Sequence, residues 1–138
     1  MVKTNGVKEV LVWEEKHKHY GFHSHILTKP SMRADILFRL ITNALRNLAP
    51  NRIVVEQKTD GMEVKLYSKR LRGYRTRYLR MTYIRGKTKY HRIYIHFEHS
   101  QGKRYFFNAL KILFPNAKIV EEILIPEHKR VRIIQKPK

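Results

Sequence analysis

The chain has 138 residues, with 30 Lys and Arg against 11 Asp and Glu, no Cys, and a formal net charge of +19 at pH 7. The missing cysteines exclude disulfides, thiolate zinc sites and a cysteine nucleophile, and 42% hydrophobic residues are enough for a packed interior. No apolar run approaches the roughly 18 residues of a membrane span, and the opening MVKTNGVKEV has no secretory-type hydrophobic stretch. The expectation is an intracellular protein of the cytoplasm or nucleoid, with nucleic acid and not a membrane as the partner of its excess charge.

In chain order, VLVWEEK (10–16) is rich in β-branched and aromatic residues and predicts a strand. A turn near His17 to Tyr20 leads to a second strand, GFHSHILT (21–28). Ser31 then stands as a helix N-cap before Ile36, Leu37, Leu40, Ile41, Ala44, Leu45 and Leu48, which recur at helical spacing until Ala49-Pro50-Asn51 ends the pattern. RIVVEQ (52–57) and MEVKLY (62–67) form a strand pair around Asp60-Gly61. The order then starts again. YLRMTYI (78–84), a turn at Gly86-Lys87 and YHRIYIHF (90–97) precede a helix whose buried face holds Tyr105, Phe106, Ala109, Leu110 and Leu113. After the stop at Phe114-Pro115-Asn116 come AKIVEEILI (117–125) and RVRII (130–134).

The two halves share sequence as well as order. NALRNLAPNRIVVEQ (43–57) aligns without a gap on NALKILFPNAKIVEE (108–122), with Asn, Ala, Leu, Leu, Pro, Asn, Val and Glu identical, Arg46 against Lys111 and Val54 against Ile119. The shared residues read as structural: the prolines stop helices, and the matched Leu and Val belong to a core. The predicted fold is α+β, a single domain of two similar ββαββ halves at about 8–70 and 75–138. Its antiparallel sheet has two helices on one side, a core that could be ferredoxin-like, and an edge strand through which a homodimer could form.

No acidic residue lies between Glu63 and Glu98, while Lys65, Lys69, Arg70, Arg72, Arg75, Arg77, Arg80, Arg85, Lys87, Lys89 and Arg92 fall inside that gap with Tyr67, Tyr74, Tyr78, Tyr83, Tyr90 and Tyr94. Strand alternation sends Leu79, Met81, Tyr83, Ile93, Ile95 and Phe97 to the core, and Tyr78, Arg80, Thr82, Arg92, Tyr94 and His96 to the exposed face. Guanidinium groups beside phenol rings supply phosphate neutralisation together with base-stacking platforms, worth about 1–3 kcal/mol per stacked base. Duplex binding needs the charges but not the rings, so the expected ligand is single-stranded or structured DNA or RNA, bound without chemistry and without a cofactor. The expected contact set is Lys69, Arg70, Arg72, Arg75, Arg77, Tyr78, Arg80, Arg85, Lys87, Lys89, Arg92 and Tyr94.

His23 and His25, two apart on a strand, project to one face and could hold a divalent cation, with Glu14 or Glu15 adding a carboxylate from across the hairpin. The segment EEKHKHYGFHSHILT resembles the histidine motif of the HUH endonucleases, the rolling-circle replication initiators, relaxases and related transposases, and MEVKLYSKR resembles their tyrosine motif. Together they cover roughly residues 14 to 70. The resemblance implies an alternative function in place of binding alone: a Mg- or Mn-dependent nick of single-stranded DNA, with His23 and His25 on the metal and Tyr67 as the nucleophile that keeps a phosphotyrosine link. Ser24 stands where that family has a bulky hydrophobe, and Tyr67 falls on a strand instead of a helix.

Overall fold

The computed structural model describes residues 6–17, 21–69, 75–84, 92–124 and 130–135. The elements run β1 (Glu9–His17), β2 (Gly21–Lys29), α1 (Ala34–Leu48), β3 (Ile53–Gln57), β4 (Glu63–Ser68), β5 (Arg77–Ile84), β6 (Arg92–Phe97), α2 (Ser100–Leu113), β7 (Lys118–Leu124) and β8 (Arg130–Gln135). The class is α+β. Helices form where apolar residues recur every three to four positions, and strands where β-branched and aromatic residues alternate with polar ones.

The strands make one sheet in the order β3-β4-β5-β6-β2-β1-β7-β8. It is mixed, not antiparallel throughout, because β1 and β7 pair in parallel, Val10 against Ile119 and Val12 against Glu121. The crossover from β6 through α2 to β7 steps over β2 and β1, and that from β2 through α1 to β3 steps over β6, β5 and β4. Each exceeds the single intervening strand of a ferredoxin-like core.

The outer strand pairs also differ in order. In the second half β7, the strand after the helix, lies inward; in the first half it is β4 that lies inward, antiparallel to β5. Chain connectivity accounts for this: only residues 69–76 link β4 to β5, and so short a link favours adjacent antiparallel neighbours.

Both helices cover the same side of the sheet. Leu37, Phe38, Ile41 and Leu45 of α1 and Phe106, Phe107, Ala109 and Leu110 of α2 close over Val10, Val12, Ile26, Val64, Leu66, Leu79, Met81, Ile93, Ile95 and Ile119. Ser31 does not cap α1. The helix begins at Ala34 after Arg33, which offers no side-chain cap bond, and Met32 packs on the core just before it. Asp35 provides the first-turn negative charge that favours a helix N-terminus, held by two bonds from Arg33 of 3.1 and 2.7 Å. In α2 the His99 Nδ1 takes the capping role, accepting from the Gln101 amide at 3.0 Å. Gly61 turns the β3–β4 hairpin at φ 75°, where a side chain would be strained, and Asp60 Oδ1 accepts from the Met62 amide at 2.9 Å.

Candidate nucleic-acid interface

Strand parity decides which side chains share the face away from the helices. On β4, Val64 and Leu66 enter the core, so Glu63, Lys65 and Tyr67 point the other way; on β5 and β6 the same parity gives Arg80, Thr82, Tyr94 and His96. All of these are partly exposed, and Arg75 and Arg77 are exposed at the margin of the patch. Tyr78 departs from the predicted alternation. The β4–β5 register shifts so that Leu66 opposes Leu79 but Tyr67 opposes Arg77, and the extra residue rotates Tyr78 to the helix side. There its ring lies 5.8 Å from Tyr105 and 5.4 Å from His99.

The fold brings carboxylates into a stretch that lacks them in sequence. Arg75 donates to Glu56 at 2.5 Å while its guanidinium carbon lies 4.0 Å over the Tyr67 ring, a cation–π contact that holds both. Arg77 donates to Glu98 at 2.5 Å, and that hydrogen bond raises its pKa above the ordinary arginine value against the opposing effect of burial. Lys65 lies 3.5 Å from Glu63. Arg80, between these pairs, has no carboxylate partner among the described residues. Lys69 is exposed just beyond β4, its amide bonded to the Arg52 carbonyl at 2.9 Å. Arg70, Arg72, Arg85, Lys87, Lys89, Tyr74 and Tyr90 lie outside the described residues, and for Arg92 the structure gives only its strand position opposite Ile84.

Further along the same face a cross-strand row runs Glu63, Thr82, Tyr94, His25, Trp13, Glu122. His25 stacks on Trp13 with centroids 5.0 Å apart and planes 14° apart, and meets the edge of Tyr94 at 4.7 Å. His25 is only 4% exposed and Glu122 only 6%, so the row passes from partly exposed side chains on β4–β6 to buried ones at these two positions. Trp13 and Glu122 were not singled out by sequence; the one available signal was a pair of acids, Glu121-Glu122, inside an apolar strand.

The histidine motif is divided by this geometry. Glu14 is on the helix side, 3.4 Å from Lys103, and therefore does not share a face with His25. For His23 the structure gives the strand position opposite Glu15 and nothing of its side chain. Tyr67 is on β4, three strands across from His25 and four residues beyond the row that contains it, which separates their Cα atoms by about 14 Å in one direction and about 13 Å in the other. Among the described residues no group of three or more His, Asp or Glu could hold a metal ion. No described helix is long and apolar enough to cross a membrane. No family model, curated protein or solved structure matches the chain.

Proposed function

We propose that this protein binds single-stranded or structured nucleic acid through the β4–β6 part of the open sheet face, without chemistry. The observation that carries the reading is the side-by-side presentation of Arg80, Tyr94, Tyr67 and Lys65 on a layer that neither described helix covers. Phosphates would meet Arg80, Lys65 and Arg92, and bases would stack on Tyr94. The net charge of +19 supports a polyanionic ligand, since repulsion among so many cations falls when phosphate is supplied. A phosphotyrosyl nick would require Tyr67 and the histidines to converge on one phosphate, and the separation of Tyr67 from His25 lends that second reading no support.

Equilibrium binding to a fluorescent single-stranded oligonucleotide, repeated across a salt series, tests the proposal. Removing Arg80, Arg92 and Tyr94 together is expected to weaken binding at least tenfold and to flatten the log-log salt slope by about 1.4, two phosphate contacts at about 0.7 each. Replacing Lys129, Lys136 and Lys138 in their place should cost far less; equal losses from the two triple variants would refute a localised face. A covalent adduct formed with Mn and lost in Tyr67→Phe would instead establish the nicking activity.

A further inference from the structure

We infer that the helical layer carries a second phosphate-binding surface, built twice, on the side of the molecule opposite the sheet face. The inference rests on the nucleic-acid reading above and assigns a second segment of the same polymer to this surface. The gapless alignment of the halves extends backwards to pair Arg39 with Arg104, so that Arg39, Asn43 and Arg46 of α1 match Arg104, Asn108 and Lys111 of α2. At spacings of four and three, each triplet forms one stripe opposite the buried face of its helix. Five of the six residues are exposed and Lys111 is half-exposed.

Packing does not explain why these positions agree between halves. A cation in the last helical turn complements the helix dipole, which accounts for Arg46 and Lys111 but not for the first two members of each stripe. Asparagine in mid-helix costs roughly 0.6 kcal/mol against alanine. It nonetheless recurs at 43 and 108, where neither amide has a hydrogen-bond partner among the described residues. Among the described residues no carboxylate holds these cations, although Arg46 donates to the Gln57 side-chain oxygen at 2.8 Å. Arg39, Arg46, Arg104 and Lys111 have no carboxylate within ion-pair distance among the described residues, whereas Lys65, Arg75 and Arg77 on the sheet face each have one. Within the helices the only acid is Asp35, already bonded to Arg33, and Asp60 stands across the cleft of about 510 Å³ that the first stripe borders. The second stripe borders a shallower concavity with Lys103 and Ser100.

Because β2 and β6 are antiparallel neighbours and each leads into its helix, α1 and α2 run in opposite senses as they pack together, and the stripes are related by an approximate two-fold. Each spans about 10 Å over the seven helical steps between its first and last member, the length of about three stacked nucleotides at 3.4 Å per step. Arg, Lys and Asn all donate to phosphate oxygens without reading sequence. A protein with such a surface opposite a base-stacking face bridges two strands.

A bridging assay tests this. Protein is captured on an immobilised single-stranded oligonucleotide, and retention of a second, fluorescent oligonucleotide is measured at low salt. Wild type should retain the second strand. The variant Arg39→Gln, Arg46→Gln, Arg104→Gln, Lys111→Gln should still bind the first strand and lose at least tenfold of second-strand retention. Asn43→Ala with Asn108→Ala should lower retention while raising thermal stability, a combination that a structural role for the asparagines would not produce. Undiminished bridging by the four-site variant, which oligomerisation would also give, overturns the inference, as does a wild type that holds one strand only. Capture of phosphatidylserine vesicles with no second oligonucleotide would reassign the surface to lipid. A wild type that captures no oligonucleotide removes the parent reading and this one with it.

Discussion

Gly102 of α2 lies against the backbone of Tyr78 in β5, so close that a Cβ built on the glycine would overlap the Tyr78 carbonyl oxygen and stand 2.7 Å from its carbon. The bulge that turns Tyr78 toward the helix and the absence of a side chain at 102 are therefore two parts of one contact. Alanine is normally worth about 1 kcal/mol over glycine inside a helix, but here the obstruction is main chain, which cannot rotate away. Gly102→Ala should destabilise the fold by about 2 kcal/mol, as overpacking does, read from the midpoint of a urea transition. A stabilised variant would mean that α2 can lift from β5 at no cost.

The ion cluster of Lys103 gives a pH signature. Its ammonium contacts the buried Glu121 and lies 3.4 Å from Glu14, joining α2 to β7 and β1. Burial alone would pull its pKa down; the hydrogen bond to Glu121 and the charges of Glu14 and Glu121 outweigh that and leave it raised. A lysine whose folded pKa is raised stabilises fully below its unfolded value of about 10.4, and the contribution disappears as the pH climbs through the folded pKa. Lys103→Met should cost about 2 kcal/mol at pH 8, less than a fully buried pair because the lysine side chain is 35% exposed. The gap between wild type and variant should narrow once the pH passes the unfolded lysine value and close as it climbs through the raised folded one. A gap independent of pH would assign the cost to lost packing of the lysine stem.

Much of the fold is present in the local pattern, and apart from the start of α1 its departures are non-local. The strand and helix positions follow from apolar spacing and from the Pro-Asn stops, which act over a few residues. The match of Val55 with Val120 in the repeat is misleading, because Val55 faces the helices from edge strand β3 while Val120 is buried on the opposite face of the inner strand β7. A one-residue change of register flips every side chain, and which strand lies inward depends on the β4–β5 link, not on the repeated sequence. The basic gap between Glu63 and Glu98 is likewise real along the chain but is filled in space by Glu98 at its border and by Glu56 from outside it. Pairing across strands is what sequence spacing does not encode.

That pairing predicts a gain of function. Glu98 withholds Arg77 from solution anions, so Glu98→Gln adds one positive charge to the face and releases a guanidinium. Oligonucleotide affinity should rise several-fold at low salt, with the salt slope steeper by about 0.7. The stability cost should stay under about 1 kcal/mol because the Arg77 side chain is 41% exposed. Weaker binding in this variant would show that Glu98 orients Arg77 toward the ligand instead of competing with it.

Trp13, the sole tryptophan, reports on the same face. Its indole stacks on His25, whose other side meets Tyr94, so a base stacked on Tyr94 lies two side chains from the fluorophore. Oligonucleotide binding over β4–β6 should change Trp13 emission saturably, at the midpoint given by anisotropy of a labelled oligonucleotide. Tyr94→Ala should reduce the amplitude and weaken the affinity together, by about 1–3 kcal/mol for one lost stacking platform. The four-site helix variant should leave the emission change intact, since those residues lie beyond the core on the other side of the sheet. Binding that leaves the indole emission untouched would place the contact on the far side of β4, or on the helices alone.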